Sequence, residues 1–252
     1  MPGRLQGKIA IVTGGGRGLG KAIALAYSGE GAKVIVTASK NKNEIDETAL
    51  KINGKAILAD ITKPDDVQNL VDSVIAEFGR IDILVNNAAR GMLFVNESFM
   101  TEPKPFWESD AESWQMVINT NVNGTYLVTR AVIPQMLNRQ SGRIINISIN
   151  TETMKRKGFS PYGPSKAALE SMSIIWAQEL AGTGITLNML LPGGATLTGM
   201  IPPNFPEDKK HNLLKPDIIA GAAVYLASDE AENINGQRII AVEWNKEHGI
   251  NK

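Results

Sequence analysis

Seven short runs of apolar, largely β-branched residues punctuate this chain, at residues 8–13, 33–37, 56–59, 81–85, 143–148, 185–191 and 238–242. A strand with one wet face alternates polar and apolar residues, because successive side chains point to opposite sides. These runs barely alternate: Ile9-Ala10-Ile11-Val12 and Val34-Ile35-Val36 are apolar throughout. Both faces must then be covered, which is the condition of a parallel sheet wrapped by helices. Longer stretches suited to helices lie between the runs, at residues 19–30, 64–78, 111–137, 161–180 and 216–228. Thr62-Lys63-Pro64-Asp65 supplies one start signal, with Thr as N-cap, Pro in the first turn and an acid at N3. Such alternation predicts an α/β fold, a doubly wound parallel sheet of about seven strands with helices on both faces. No repeat, low-complexity tract or linker divides the 252 residues, so a single domain over residues 1–252 is expected.

Composition narrows the function. Lys and Arg number 26 against 26 Asp and Glu, so the chain lacks the electrostatic footprint of a nucleic-acid or membrane-surface binder. The basic run Lys155-Arg156-Lys157 reads as a solvated loop. With no Cys, disulfides and thiolate chemistry are excluded, and two His make a His-rich metal site unexpected. Residues 1–7 carry no apolar signal core, and the apolar stretch 218–227 is too short for a membrane span. A cytoplasmic protein with neither nucleic-acid nor membrane partners is expected.

Two segments interrupt the rhythm, residues 90–110 and 193–215. Each follows a strand, so each should emerge at the carboxyl edge of the sheet, where open α/β folds bind ligands. They carry Met92, Phe94, Phe99, Phe106, Trp107, Met200, Ile201 and Phe205, a set suited to an apolar or aromatic substrate.

Directly after the first strand comes Thr13-Gly14-Gly15-Gly16-Arg17-Gly18-Leu19-Gly20, opening into a helix. A Cβ-free turn at a helix N-terminus brings backbone N–H groups and the helix dipole to a pyrophosphate. The spacing is G-x-x-x-G-x-G at Gly14, Gly18 and Gly20, within a Rossmann-type strand–turn–helix context.

From these residues the chain resembles the short-chain dehydrogenase/reductase family. Further along, Asp60-Ile61, Asn86-Asn87-Ala88-Ala89, Asn121-Val122-Asn123-Gly124, Tyr162-Gly163-Pro164-Ser165-Lys166 and Pro192-Gly193 follow in the family's order. The resemblance implies a nicotinamide cofactor held by Gly14, Arg17, Gly18, Leu19, Gly20, Ser39, Lys40, Asp60, Ile61, Asn87, Ala88, Tyr162, Lys166, Pro192, Gly193, Ala195 and Thr196. It also implies a homo-oligomer, a tetramer or a dimer, built partly on the helices at 111–137 and 161–180. Ala38 stands where the family's NAD-selecting acid would sit, whereas Ser39, Lys40 and Arg17 can surround a 2′-phosphate. NADP(H) is therefore expected over NAD(H).

Tyr162 and Lys166 lie four apart at a helix start, on one face. An ammonium beside a phenol favours the phenolate and lowers its pKa, as a proton carrier for alcohol–carbonyl interconversion requires. By resemblance Tyr162 transfers the proton, Lys166 also binds the nicotinamide ribose, and Asn121 holds a water behind Lys166. The family's catalytic Ser falls, without gaps, on Ile149, thirteen before Tyr162. If the strand continues regularly through Asn150, Ile147 and Ile149 share a face, and Ser148 and Asn150 point away from it. The expected activity is NADP-dependent hydride transfer between nicotinamide and a carbonyl or secondary alcohol of a small molecule. Reduction of a 3-oxoacyl thioester is one alternative, and it would favour a basic docking patch beside the pocket. A nucleotide-binding regulatory protein weakened by Ile149 is another.

Overall fold

The computed structural model describes residues 3–250, so the first two residues of the 1–7 segment lie outside the described residues. Seven parallel strands form one sheet: β1 (Ile9–Thr13), β2 (Lys33–Ala38), β3 (Lys55–Leu58), β4 (Ile83–Asn86), β5 (Gly142–Ile147), β6 (Ile185–Leu191) and β7 (Arg238–Ile240). Their spatial order is β3-β2-β1-β4-β5-β6-β7, and the order reverses between β1 and β4. That reversal opens a crevice at the carboxyl ends of β1 and β4.

The unbroken apolar runs are explained by burial on both faces. Along β1, Ala10 and Val12 pack into one apolar layer and Ile9 and Ile11 into the opposite one. The first layer is completed by Ile23, Ala24 and Tyr27 of α1 (Gly18–Gly29) and by Ala222, Ala223 and Leu226 of α8 (Ala220–Ala227). The second takes Val67, Leu70 and Val74 from α3 (Pro64–Phe78) and Val128, Val132 and Met136 from α5 (Thr125–Arg139). Shifting any strand by one residue would exchange the two layers, so the pattern fixes the register.

Several local expectations are corrected. Helix α3 begins at Pro64 with Lys63 as N-cap; the Thr62 hydroxyl instead donates to Asp60 Oδ1 at 2.7 Å. The stretch 111–137 is not one helix. It divides into α4 (Ala111–Ile118), a π-helical turn (Asn119–Gly124) and α5, because Asn121 bonds outward to the chain at Arg90. The stretch 216–228 starts as a 3₁₀ turn (Pro216–Ile219) before α8. Three helices were not read from the sequence: α2 (Lys42–Lys51), α6 (Thr151–Met154) and α9 (Ala241–Glu247). The last of them cuts β7 short at Ile240, since Ala241 and Trp244 turn back onto the first apolar layer.

Candidate active site

The glycine turn lies at the crevice. Gly18 has φ of +54°, a left-handed conformation that favours glycine. A Cβ on Gly20 would lie 2.4 Å from both Asn87 Nδ2 and the Gly14 carbonyl oxygen. Asn87 explains that crowding: its amide donates to the carbonyls of Thr13 and Gly14 at 2.9 and 3.0 Å, lashing the turn to the end of β4. Thr13 Oγ1 accepts from the backbone N–H of Asn87 and Ala88, both at 3.0 Å.

The resulting cleft, about 400 Å³, is lined by Gly14, Arg17, Gly18, Leu19, Ser39, Lys40, Asp60, Ile61, Asn87 and Ala88, ten of the residues read from the sequence. Gly20 lies buried beneath it. Burial pushes the Asp60 carboxyl upward, but the N–H and hydroxyl of Thr62 and the cations of Lys63 and Arg90 outweigh it and hold the group below the usual carboxylate range. Asp60 is thus an anion in the cleft lining, its carboxylate accepting from the N–H and hydroxyl of Thr62.

Sequence reading did not find Glu44 of α2, which also lines the cleft and whose carboxylate lies 3.6 Å from Arg17 Nη1. Arg17 is therefore partly neutralised, while Ser39 and Lys40 are exposed with no such partner among the described residues. Thr37 Oγ1, also in the lining, is buried without a hydrogen-bond partner. A dinucleotide fits this cleft: a Cβ-free turn at a helix start, an acid at mid-cleft and exposed donors at its far end.

A second chamber of about 190 Å³ adjoins the first, the two sharing Leu19, Asn87, Ala89, Gly91, Thr198 and Met200. Tyr162, Lys166, Pro192, Ala195 and Thr196 line it, whereas Gly193 lines neither space. Part of its wall is apolar: Met92, Phe99, Phe159 and Tyr162 form a buried cluster with Ile149, Met100 and Met200 packed against it. Both long segments thus supply walls, and they also touch each other where Asn204 Nδ2 donates to Ser98 Oγ at 3.1 Å. Phe106 and Trp107 are instead exposed and packed on each other, Phe94 faces the larger cleft, and Phe205 lines neither space.

Tyr162 and Lys166 sit in the first turns of α7 (Tyr162–Glu179). Lys166 Nζ donates to the Ile147 carbonyl at 2.7 Å, and burial draws its pKa down to about 8, with Glu170 opposing that pull. The Tyr162 hydroxyl approaches Met200 Sδ at 3.9 Å, and burial pushes its pKa up. Burial, and not the expected lowering by Lys166, dominates at the phenol. Asn121 receives the N–H of Arg90 at 2.8 Å and donates to Ser165 Oγ at 2.9 Å, tying the π-helical turn to α7.

At the third position, β5 ends at Ile147 and does not run regularly through Asn150, which is the N-cap of α6. The Ser148 hydroxyl turns to Glu170 Oε1 at 2.6 Å, and Asn150 Nδ2 donates to the Gly193 carbonyl at 3.1 Å. Ile149 packs on the cluster holding Tyr162, and all three residues line the chamber.

Comparison with known proteins agrees with this geometry. The short chain dehydrogenase family matches over residues 8–209. The chain is 34% identical over 246 residues to the 3-oxoacyl-(acyl-carrier-protein) reductase FabG of Escherichia coli K12, covering 93% of this chain and 95% of that protein. It is 32% identical over 249 residues to the reductase of the same name from Thermotoga maritima, covering 94% and 96%. The crystal structure of a 3-ketoacyl-(acyl-carrier-protein) reductase from Brucella melitensis complexed with NADH superposes with a TM-score of 0.83 at 31% identity, covering 94% of this chain and 97% of that one. A glycine turn lashed to β4, a Tyr/Lys pair at the mouth of an apolar chamber and near full-length relatives lead to one assignment: the chain belongs to the short chain dehydrogenase family of oxidoreductases.

Proposed function

We propose that this protein is an NADP(H)-preferring oxidoreductase acting on the carbonyl or secondary alcohol of an apolar small molecule. One observation carries the reading: the Tyr162 hydroxyl and the Lys166 ammonium line an apolar chamber that opens directly onto the glycine-turn cleft. The bound nicotinamide supplies or accepts the hydride. Gly14, Gly18 and Leu19 receive the pyrophosphate, Asp60 and Ile61 border the adenine, and Ser39, Lys40 and Arg17 receive the 2′-phosphate. The Tyr162 phenol, kept protonated by burial, donates its proton to the substrate oxygen during reduction. Lys166 reprotonates it through the Asn121 side of the site and holds the ribose. Cofactor and substrate spaces share walls, which supports one domain over the whole chain.

The test is a panel of aliphatic and aromatic ketones with NADPH and NADH, followed by nicotinamide absorbance. Turnover of apolar ketones with NADPH, lost in Tyr162→Phe, is expected; NADH bound as tightly as NADPH would overturn the cofactor assignment. A second reading, reduction of a 3-oxoacyl thioester, is favoured by the names of relatives that align over nearly their whole length. The exposed Tyr126, Ile174 and Ile175 on α5 and α7 support assembly as a tetramer or dimer, to be checked by light scattering. Among the described residues no helix is long and apolar enough to cross a membrane. A cytoplasmic location belongs to the same proposal, because the reaction draws on a nicotinamide pool.

A further inference from the structure

The run Lys155-Arg156-Lys157 lies between α6 and α7, immediately before the turn that carries Tyr162. All three side chains reach solvent, yet Arg156 also lines the substrate chamber. Its guanidinium carbon lies 5.1 Å from the centre of the Phe159 ring, and Phe159 is itself buried edge-on against Phe99 at 5.4 Å. The turn is held from several sides. Arg156 N donates to the Thr153 carbonyl at 3.3 Å, and the Arg156 carbonyl accepts from Phe159 N at 3.1 Å. Gly158, at φ of +79°, is packed so closely on Pro103 of the 90–110 segment that a Cβ there would lie 2.3 Å from the proline's own. The cation is therefore presented by a held turn, over an aromatic ring and with no side-chain hydrogen bond among the described residues.

Among the described residues no carboxylate answers that charge. The chamber lining contains no Asp or Glu, and no salt bridge among the described residues includes Arg156. The chamber's other cation, Lys166, is buried and engaged with the Ile147 carbonyl. A guanidinium stacked on an aromatic face offers a planar pair of donors that matches a carboxylate. The same lining includes the apolar Phe159, Phe99 and Ile149, and its polar residues other than the two cations are uncharged.

We infer that Arg156 forms a carboxylate-binding subsite, and that the substrate is a ketone, or its alcohol, whose apolar body ends in a carboxylate. The inference rests on the oxidoreductase reading above and narrows its substrate class. The experiment compares kcat/KM for a homologous series of methyl ketones with that for the corresponding ω-carboxylates, using NADPH. At one chain length or more the carboxylate should be favoured, on the order of tenfold at low salt. That preference should fall with added salt, collapse toward unity in Arg156→Met and survive in part in Arg156→Lys. In parallel, calorimetry measures binding of the ω-carboxylates to the NADPH-loaded protein, with the same ranking of variants expected. If neutral ketones are turned over but no carboxylate is preferred, or if Arg156→Met leaves the preference and the binding unchanged, the subsite is refuted while the oxidoreductase reading stands. If no ketone is reduced, that reading fails, and the calorimetric ranking alone decides whether Arg156 binds carboxylates.

Discussion

Arg238 and Glu170 meet at one carboxylate oxygen, with Nε 2.9 Å from Oε1, and Ser148 Oγ donates to that same oxygen at 2.6 Å. The other arm of Arg238 donates to the Ile149 carbonyl at 2.9 Å. The first residue of β7 thus clamps the end of β5 against α7, in the segment whose Ile147 carbonyl holds Lys166. Glu170 is also one helical turn beyond Lys166, so the clamp and the charge on Lys166 are linked.

Burial lowers the pKa of Lys166 to about 8, and Glu170 raises it against that pull. Lys166 is protonated below that value and loses its charge as pH rises through it. If the protonated form serves turnover, kcat/KM should fall on the alkaline side near pH 8. Glu170→Gln removes the opposing charge and should move that limb to lower pH, by about one unit. PH–rate profiles of the two proteins check this, and an unmoved limb would show that Glu170 acts only as a brace.

At the far end of the cofactor cleft, Glu44 and a 2′-phosphate would compete for Arg17. Neutralising Lys40 with Lys40→Ala should weaken NADPH binding about tenfold and leave NADH nearly untouched, because a lost charge-assisted contact has that scale. Glu44→Gln should act in the opposite direction, tightening NADPH a few-fold by freeing Arg17. Fluorescence titration with both cofactors separates the two effects. Equal changes for NADH and NADPH would mean that these residues shape the cleft and do not read the phosphate.

The sheet was legible because burial on both faces writes itself into unbroken apolar runs, and the glycine turn because Gly18 and Gly20 meet constraints that only glycine satisfies. Helix α2 was not, since only Ile45, Thr48 and Ala49 of its ten residues are buried. With α2 unseen, the Arg17–Glu44 pairing was out of reach. The clamp was hidden for a different reason: Ser148, Glu170 and Arg238 come from three elements far apart in the chain, and each alone reads as a surface polar residue. The turn after β5 was not legible, because the sequence at 147–150 is also compatible with a continuing strand. Past its end Arg238 donates to the Ile149 carbonyl and Asn150 donates to the Gly193 carbonyl, contacts to residues distant in sequence.

Gly20→Ala tests the turn. The new methyl would lie 2.4 Å from Asn87 Nδ2 and the Gly14 carbonyl, so either the lash or the turn must shift. A destabilisation of about 1–3 kcal/mol is expected, as for overpacking of a tight core site. Affinity for either nicotinamide cofactor should fall with it. Gly29→Ala is the control, because no atom lies within 4 Å of its added methyl, and it should be neutral or slightly stabilising. Thermal unfolding with and without cofactor reads both.

Ile149 sets the last expectation. Its side chain packs on the cluster around Tyr162; Ser148 and Asn150 also line the chamber, but the Ser148 hydroxyl donates to Glu170 and the Asn150 amide to the Gly193 carbonyl. On the proposed function Tyr162 would be the chief donor to the substrate oxygen, and turnover should be present but modest. A second donor at position 149 is worth roughly 1–3 kcal/mol, or about tenfold to a hundredfold in rate. Ile149→Ser should accordingly raise kcat on small ketones while leaving cofactor affinity unchanged, and Tyr162→Phe should abolish turnover in either background. Ser148→Ala should retain most of the activity, because Arg238 still holds Glu170. Steady-state kinetics on one small ketone distinguishes the outcomes. A neutral or harmful Ile149→Ser together with a crippling Ser148→Ala or Asn150→Ala would mean that a neighbour turns into the chamber during turnover and carries the missing hydrogen bond.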